Sequence, residues 1–330
     1  CQGALAATSP VAEVADQRLG DANGPIAGAR RIYLYTDPRV FFTFVNMTDE
    51  TTRVAAVAMH SDMGAWAANL AAVENWCHRA RERGAEFALF PEECITGSLN
   101  KSDLDLAAAR EIVRAAEAET RFRLEALCRE LEMTVVVGTI ESAGDRFANS
   151  ALVVGPTGYL ATYTKLHLPN ADEKAWFVAG ERFPVVTSQG WTFGVGICYD
   201  LRFPEIFRTA AQHGADFFLL PVGGSGGGSG PGQVQYHKQL AMQLMPARAV
   251  DNALYIFYAN QAGASGNAHF PGFTLVVDPQ GALVDEYLAG EGMTVTEVSR
   301  AAIARARRSG CYTAAETRPE IYAGARRVGG

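Results

Sequence analysis

Gly84-Ala85-Glu86-Phe87-Ala88-Leu89-Phe90-Pro91 and Gly214-Ala215-Asp216-Phe217-Phe218-Leu219-Leu220-Pro221 follow one pattern at two places in the chain. In each, a glycine closes a helix-like run, an acidic residue precedes a short apolar stretch, and a proline stops that stretch. Two buried strands entered and left in the same way predict two similar half-units. That in turn predicts two packed sheets with helices outside them. A chance likeness between two buried strands is the competing reading.

The pattern around these anchors is mixed α/β. Residues 54–59 form an apolar run of strand length, and 69–83 carry apolar residues at helical spacing up to Gly84. Strand 86–90 is followed by a helix over 104–131 and a strand over 134–140. Strands at 151–154 and 159–163 flank the turn Gly155-Pro156-Thr157-Gly158. A buried strand over 191–197 leads to a helix from about Pro204, where proline suits the first turn. Strand 217–220, helix 233–252 and strand 254–259 repeat the alternation, and 273–277 with 282–287 read as a hairpin around Pro279-Gln280-Gly281. Aromatic, β-prone residues at 31–45 predict an accessory strand or two.

Composition excludes several classes. The chain has 330 residues, 48% hydrophobic and 20% charged, enough for a sizeable core in one large domain or two. No apolar run approaches the ~18 residues of a membrane-spanning helix. A net charge of −7 argues against a nucleic-acid partner, because neutralising phosphates takes a basic face. The basic cluster at 300–308 reads as a solvated helix face. Six cysteines without a Cys-x-x-Cys pair, and six scattered histidines, give no support to a metal site. Residues 1–52 read as an N-terminal extension and tether, and 53–330 as the folded domain. Cys1 followed by an Ala/Gly/Ser/Pro-rich stretch is similar to the mature start of a bacterial lipoprotein, which predicts an exported, lipid-anchored protein; a cytoplasmic one is the alternative.

Three reactive or charged residues sit where buried strands end: Glu92, Lys165 and Cys198. In open α/β architectures sites assemble on the loops after strand ends. Singly, each has an ordinary reading as a helix cap, a solvated lysine and a small core residue. Together they are chemically complete. A thiol attacks only as thiolate, a carboxylate can take its proton, and an ammonium can lower its pKa and hold an oxyanion.

The segments Phe90-Pro91-Glu92, Tyr163-Thr164-Lys165-Leu166-His167-Leu168 and Gly196-Ile197-Cys198-Tyr199-Asp200-Leu201-Arg202-Phe203-Pro204-Glu205 closely resemble the three signatures of the nitrilase superfamily of carbon–nitrogen hydrolases. Supporting likenesses are Glu173-Lys174-Ala175-Trp176-Phe177, Ala247-Arg248-Ala249-Val250-Asp251-Asn252, Ala259-Asn260-Gln261 and Arg318-Pro319-Glu320-Ile321-Tyr322. The resemblance runs from Arg53 to Tyr322. It implies an α/β fold, a four-layer α-β-β-α sandwich, which agrees with the two half-units. It also implies Glu92 as general base, Lys165 as oxyanion stabiliser, Cys198 as nucleophile, and Glu173 as the residue orienting lysine and substrate. Glu93 is the tempting wrong choice of base, since the family's glutamate directly follows the proline. Tyr199 and Arg202 become candidate substrate contacts; for Arg202 a buried ion pair with Asp200 or Glu205 competes. No cofactor is implied, and the partners implied are a small-molecule substrate and further copies of the chain, as a homodimer or larger homo-oligomer.

Cys198-Tyr199-Asp200 resembles the amidase and N-carbamoyl hydrolase branch, whereas nitrilases usually have Cys-Trp-Glu there. The expected reaction is therefore hydrolysis of a small amide or N-carbamoyl substrate through a cysteine thioester. Nitrile hydrolysis or N-acyl transfer on the same site is the alternative, and an inactive sandwich acting as a binding protein is an alternative of another class. The Gly/Ser-rich run 223–232 departs from the family, and reads as a lid, an inserted linker or a plain connector. It also contains Gly223-Gly224-Ser225-Gly226-Gly227, a formal Gly-x-Ser-x-Gly match. A serine nucleophile elbow would have to turn straight into a helix, and here glycines continue to Gly232.

Overall fold

The computed structural model describes residues 49–225 and 231–324. The tether and the accessory strands expected within 31–45 lie outside the described residues. The fold starts with β1 (Thr51–Ala58), α1 (Trp66–Glu82), β2 (Phe87–Leu89), α2 (Leu106–Leu131) and β3 (Thr134–Ala143), continued by β4 (Arg146–Gly155) and β5 (Gly158–Thr164). A short helix, α3 (Ala171–Trp176), leads to β6 (Val185–Ser188) and β7 (Trp191–Val195). Then come α4 (Pro204–Gln212), β8 (Phe217–Val222), α5 (Pro231–Asn252) and β9 (Tyr255–Asn260). After the small hairpin β10 (Ala262–Ser265) and β11 (Ala268–Pro271), the chain forms β12 (Thr274–Val277), β13 (Leu283–Tyr287) and β14 (Gly292–Ser299). It ends in α6 (Arg300–Arg307) and α7 (Pro319–Tyr322).

Two six-stranded sheets result, in the orders β14-β1-β2-β3-β4-β5 and β6-β7-β8-β9-β12-β13. The three strands β1, β2 and β3 are parallel, as are β7, β8 and β9, and each trio is flanked by antiparallel strands. The half-units expected from the sequence are therefore real. Gly84 and Gly214 both take a left-handed φ, +79° and +85°, which a side chain would resist. Glu86 N–H donates to Arg53 O at 2.9 Å, and Asp216 N–H to Thr192 O at 2.7 Å, so both central strands are entered through the same bond to the neighbouring strand.

Apolar residues on both faces of each sheet produce three core layers, hence the α-β-β-α sandwich. Leu70, Val73, Leu124 and Leu127 of α1 and α2 pack on one outer face. Phe207, Ala210, Ala241 and Met245 of α4 and α5 pack on the other. Between the sheets, Phe87 meets Phe193 and Phe217 edge-on, with ring centroids 5.9 and 5.3 Å apart. Such aromatic pairs add about 0.5–1.5 kcal/mol each beyond area burial.

Two local readings change. Pro91 ends β2, but Pro221 lies inside β8, which continues to Val222. β7 pairs with β8 only as far as Leu219, so the missing proline N–H interrupts no ladder bond to β7. The basic helix α6 is not simply solvated: Arg300 and Arg307 approach the buried Asp216 at 3.7 and 3.9 Å. Among the described residues, no helix is long and apolar enough to cross a membrane.

Candidate active site

Both sheets deliver side chains to one end of the sandwich. Glu92 follows β2, Lys165 follows β5, Glu173 lies in α3 and Cys198 follows β7. Asn170 caps α3 by accepting the Glu173 N–H at 2.9 Å, which fixes where that carboxylate projects. Lys165 Nζ donates to Glu92 Oε1 and to Glu173 Oε2, each at 2.8 Å, with the lysine and Glu92 side chains almost wholly buried. A buried ammonium shared by two carboxylates is tolerated only because it is so fully paired.

Glu92 is held from every side. Oε1 also accepts from Asn149 Nδ2 at 2.8 Å, and Oε2 accepts the Gly223 N–H at 2.7 Å. Its own carbonyl accepts from Gln261 Nε2 at 2.5 Å. Burial works to raise the carboxyl, but Lys165, Lys101 and the bonds from Lys165 and Asn149 outweigh it and hold Glu92 below the usual carboxylate range. Glu93 behaves oppositely. Burial and the adjacent Glu92 charge push it up to about 8, against Lys101 and Ser98, so it carries a proton at neutral pH. Its Oε1 accepts from the same Asn149 Nδ2, at 3.1 Å.

Cys198 sits at a sharp elbow with φ +48°, an uncommon conformation for a side-chain-bearing residue and a frequent mark of a working site. Asp200 fastens that elbow to the β5 end. Its carboxylate accepts from Ile197 N at 2.9 Å, Tyr163 Oη at 2.7 Å and His167 N at 3.1 Å, and contacts His167 Nδ1 at 2.7 Å. The His167 ring in turn stacks on Phe203, 3.4 Å between centroids. The expectation that a neighbouring ammonium lowers the Cys198 pKa needs correction. Burial, then the Glu92 charge and also Glu173 raise the thiol well above its ordinary value, and Lys165 and Lys101 offset this only in part. The sulfur is thus a protonated thiol at rest, and would need a base beside it to serve as a nucleophile.

Beside Cys198 opens a cavity of about 130 Å³, walled mainly by Tyr199, Leu201, Val222, Leu240, Leu244 and Tyr258. Burial pushes the imidazole of His237, at its edge, below the ordinary histidine range. Tyr199 and Arg202 both line this cavity. Arg202 is exposed, with its guanidinium 5.5 Å from the Tyr199 ring centre. The competing ion pair is not formed: among the described residues Arg202 pairs neither with Asp200, which is taken up by Ile197, Tyr163 and His167, nor with Glu205. β8 ends at Val222 and α5 begins only at Pro231, so Ser225 does not turn straight from that strand into that helix. The glycine run is no plain connector at its start, because Gly223 is buried against Glu92; residues 226–230 lie outside the described residues. Among the described residues, no three His, Cys, Asp or Glu side chains converge as metal ligands. Sequence reasoning missed Lys101, Asn149 and the clamping role of Asp200.

Comparison with known proteins gives a consistent picture. The carbon-nitrogen hydrolase family model matches residues 53–308. A nitrilase from Pyrococcus abyssi is 31% identical over 233 residues, covering 69% of this chain and 82% of its own. An (R)-stereoselective amidase from a Pseudomonas species is 30% identical over 228 residues, 69% of this chain and 78% of its own. A solved variant of the amidase from Nesterenkonia sp. AN1, 27% identical, superposes with a TM-score of 0.68 over 83% of this chain and 96% of its own. That variant shows covalent addition of the acetamide moiety of fluoroacetamide at its active site cysteine.

Proposed function

This chain belongs to the carbon-nitrogen hydrolase family and is an amidase-type hydrolase, and from that premise we propose that it cleaves small primary carboxamides with compact apolar acyl groups through a thioester on Cys198. The observation that carries this reading is the buried Glu92–Lys165–Glu173 array beside a partly open Cys198 thiol at the mouth of an apolar cavity. A cavity of about 130 Å³ is slightly smaller than the ~150 Å³ apolar cavity that accepts benzene. Its aliphatic walls suit a plain acyl group better than an N-carbamoyl amino acid.

In this reading Glu92, ionised at rest, takes the proton from Cys198 Sγ as the thiolate adds to the amide carbon. Lys165 Nζ and the Tyr199 N–H hold the oxyanion, while Glu173 keeps the lysine aimed. Glu92 returns the proton to the departing nitrogen, ammonia leaves, and the acyl group remains on sulfur. Glu92 then takes a proton from water, hydroxide attacks the thioester, and Glu92 returns that proton to the departing sulfur, which restores the thiol as the carboxylic acid is released. The same carboxylate is base twice and acid twice, so its pairing must survive each transfer. Tyr199 and Arg202 would contact the substrate at the rim.

The test is ammonia release from a panel of aliphatic amides, ω-amides, N-carbamoyl amino acids and nitriles, with Cys198→Ala alongside wild type. Turnover of apolar amides that vanishes in Cys198→Ala, with an acyl adduct on Cys198 by mass, is the expected result. An active Cys198→Ala sinks the proposal. Self-association into a dimer is the accompanying reading, and is checked by sedimentation.

A further inference from the structure

We propose that Lys101, on the loop after β2, is a positioning residue for the hydrolysis: it clips the end of β8 against Glu92 and keeps that carboxylate charged and in one orientation. The inference rests on the reading of Glu92 as the base and assigns a residue that the tetrad of Glu92, Lys165, Glu173 and Cys198 does not include.

The contacts form a short relay. Lys101 Nζ donates to Gly223 O at 2.9 Å, and Gly223 N–H donates to Glu92 Oε2 at 2.7 Å. One glycine therefore joins the two side chains through its own donor and acceptor. A Cβ there would stand 3.0 Å from Glu92 Oε2, so any side chain would press on that carboxylate. The ammonium also lies 4.8 Å from the ring centre of buried Phe270, a cation–π contact that limits where it can swing. On the opposite oxygen Glu92 is fixed by Lys165 and Asn149, so the Gly223 bond is what sets the rotation of the carboxylate about its last bond.

Charge is the second part of the role. Around Glu92 stand Lys165 from the β5 end, Glu173 from α3, Glu93 beside it, Cys198 from the β7 end and Lys101. Glu173, and a thiol that becomes negative in the reaction, oppose the ionised Glu92, while Glu93 keeps its proton. Lys165 alone must serve both carboxylates, and Lys101 supplies the other positive charge. Removing it raises the proton affinity of Glu92, so a reaction that needs the ionised base loses activity first on the acid side.

The experiment is steady-state kinetics of Lys101→Met, Lys101→Gln and Lys101→Arg on the best amide, between about pH 4 and 9, with thermal melts of each. The methionine variant is expected to lose roughly tenfold or more in kcat at nearly unchanged KM, since small misplacements of a reacting group carry losses of that order. Its acid limb should move upward by about one unit, the lower end of the effect of a nearby opposite charge. Glutamine keeps a donor for Gly223 O without charge, so it should recover part of kcat while the limb stays displaced. Arginine should restore both. If the methionine variant does not fold, the glutamine variant carries the charge test alone. An acid limb unmoved in the charge-removing variants, or a loss confined to KM, overturns the inference. Cys198-dependent turnover with an unmoved limb would reject only this role for Lys101, whereas turnover without Cys198 would reject the thioester mechanism itself.

Discussion

At the end of β2 the chain turns through two carboxylates, Glu92 and Glu93; at the end of β8, the matching place in the second half, it turns through Gly223 and Gly224. Up to those tips the halves run in parallel. Each central strand follows a left-handed glycine, and each is preceded by an acidic residue tied to the strand beside it, Glu86 to the Thr52 hydroxyl and Asp216 to Thr192 N. The difference at the tips teaches how a duplicated scaffold makes an asymmetric site. One half contributes charge, and the other contributes bare backbone that can approach that charge to 2.7 Å.

The largest effect is expected at the charged tip. Glu92→Gln is expected to lower kcat by about 10²–10⁴, the usual worth of a positioned acid–base group, and to lower the melting temperature, since the buried Lys165 ammonium is left with Glu173 alone. Full activity in that variant would show that the first half does not supply the base. Gly223→Ala attacks the other tip, and with a methyl 3.0 Å from Glu92 Oε2 it should reduce kcat by about an order of magnitude with little change in stability. An unaffected kcat would mean that the close approach of backbone to carboxylate is incidental.

Glu93→Gln separates the roles of the two carboxylates. Glu93 in the fold holds its proton up to about 8, whereas in the unfolded chain it releases it near 4.5. The folded state therefore binds the extra proton between those values, and stability falls as pH rises from about 5 to 8. Glutamine should flatten that fall, measured as melting temperature against pH, and should change kcat by only a few-fold. A kcat loss equal to that of Glu92→Gln would move the base to Glu93. The smallest effect is expected at the matching acidic residue of the second half. Arg307→Gln removes one of two partly exposed cations near Asp216 and should change stability by less than about 1 kcal/mol, measured by urea unfolding.

Much of this was legible in the chain itself. Strands β1, β2 and β8 are apolar on both faces and helices α1 and α2 carry long periodic runs, so burial pattern and length identify them. The three strand-end residues stood out because their chemistry is complete as a set. What escaped was short or polar. β6 has four residues, and β14, Gly-Met-Thr-Val-Thr-Glu-Val-Ser, keeps about half its residues in partial contact with solvent and so lacks a continuous apolar run. Lys101 and Asn149 escaped for a different reason. A lysine or an asparagine in a loop has no local signature, and its importance lies in which distant group it meets: Gly223 for one, both glutamates for the other. The thiol's upward shift also depends on burial and on Glu92 and Glu173, which only the folded arrangement brings to bear on Cys198.

The pairing of β1 with β14 bears on biosynthesis. Thr51 lies opposite Ser299 and Ala58 opposite Gly292, so β1 gains its second neighbour only from a strand made far later in translation. At about 5–20 residues per second, the ribosome needs roughly 12–50 s to travel from one partner to the other. Throughout that interval β1 has β2 on one side and a row of unpaired backbone groups on the other, the kind of edge that recruits stray strands. The unpaired edge of β1 in the nascent first half is thus expected to favour stray strand pairing until residues 292–299 emerge and dock.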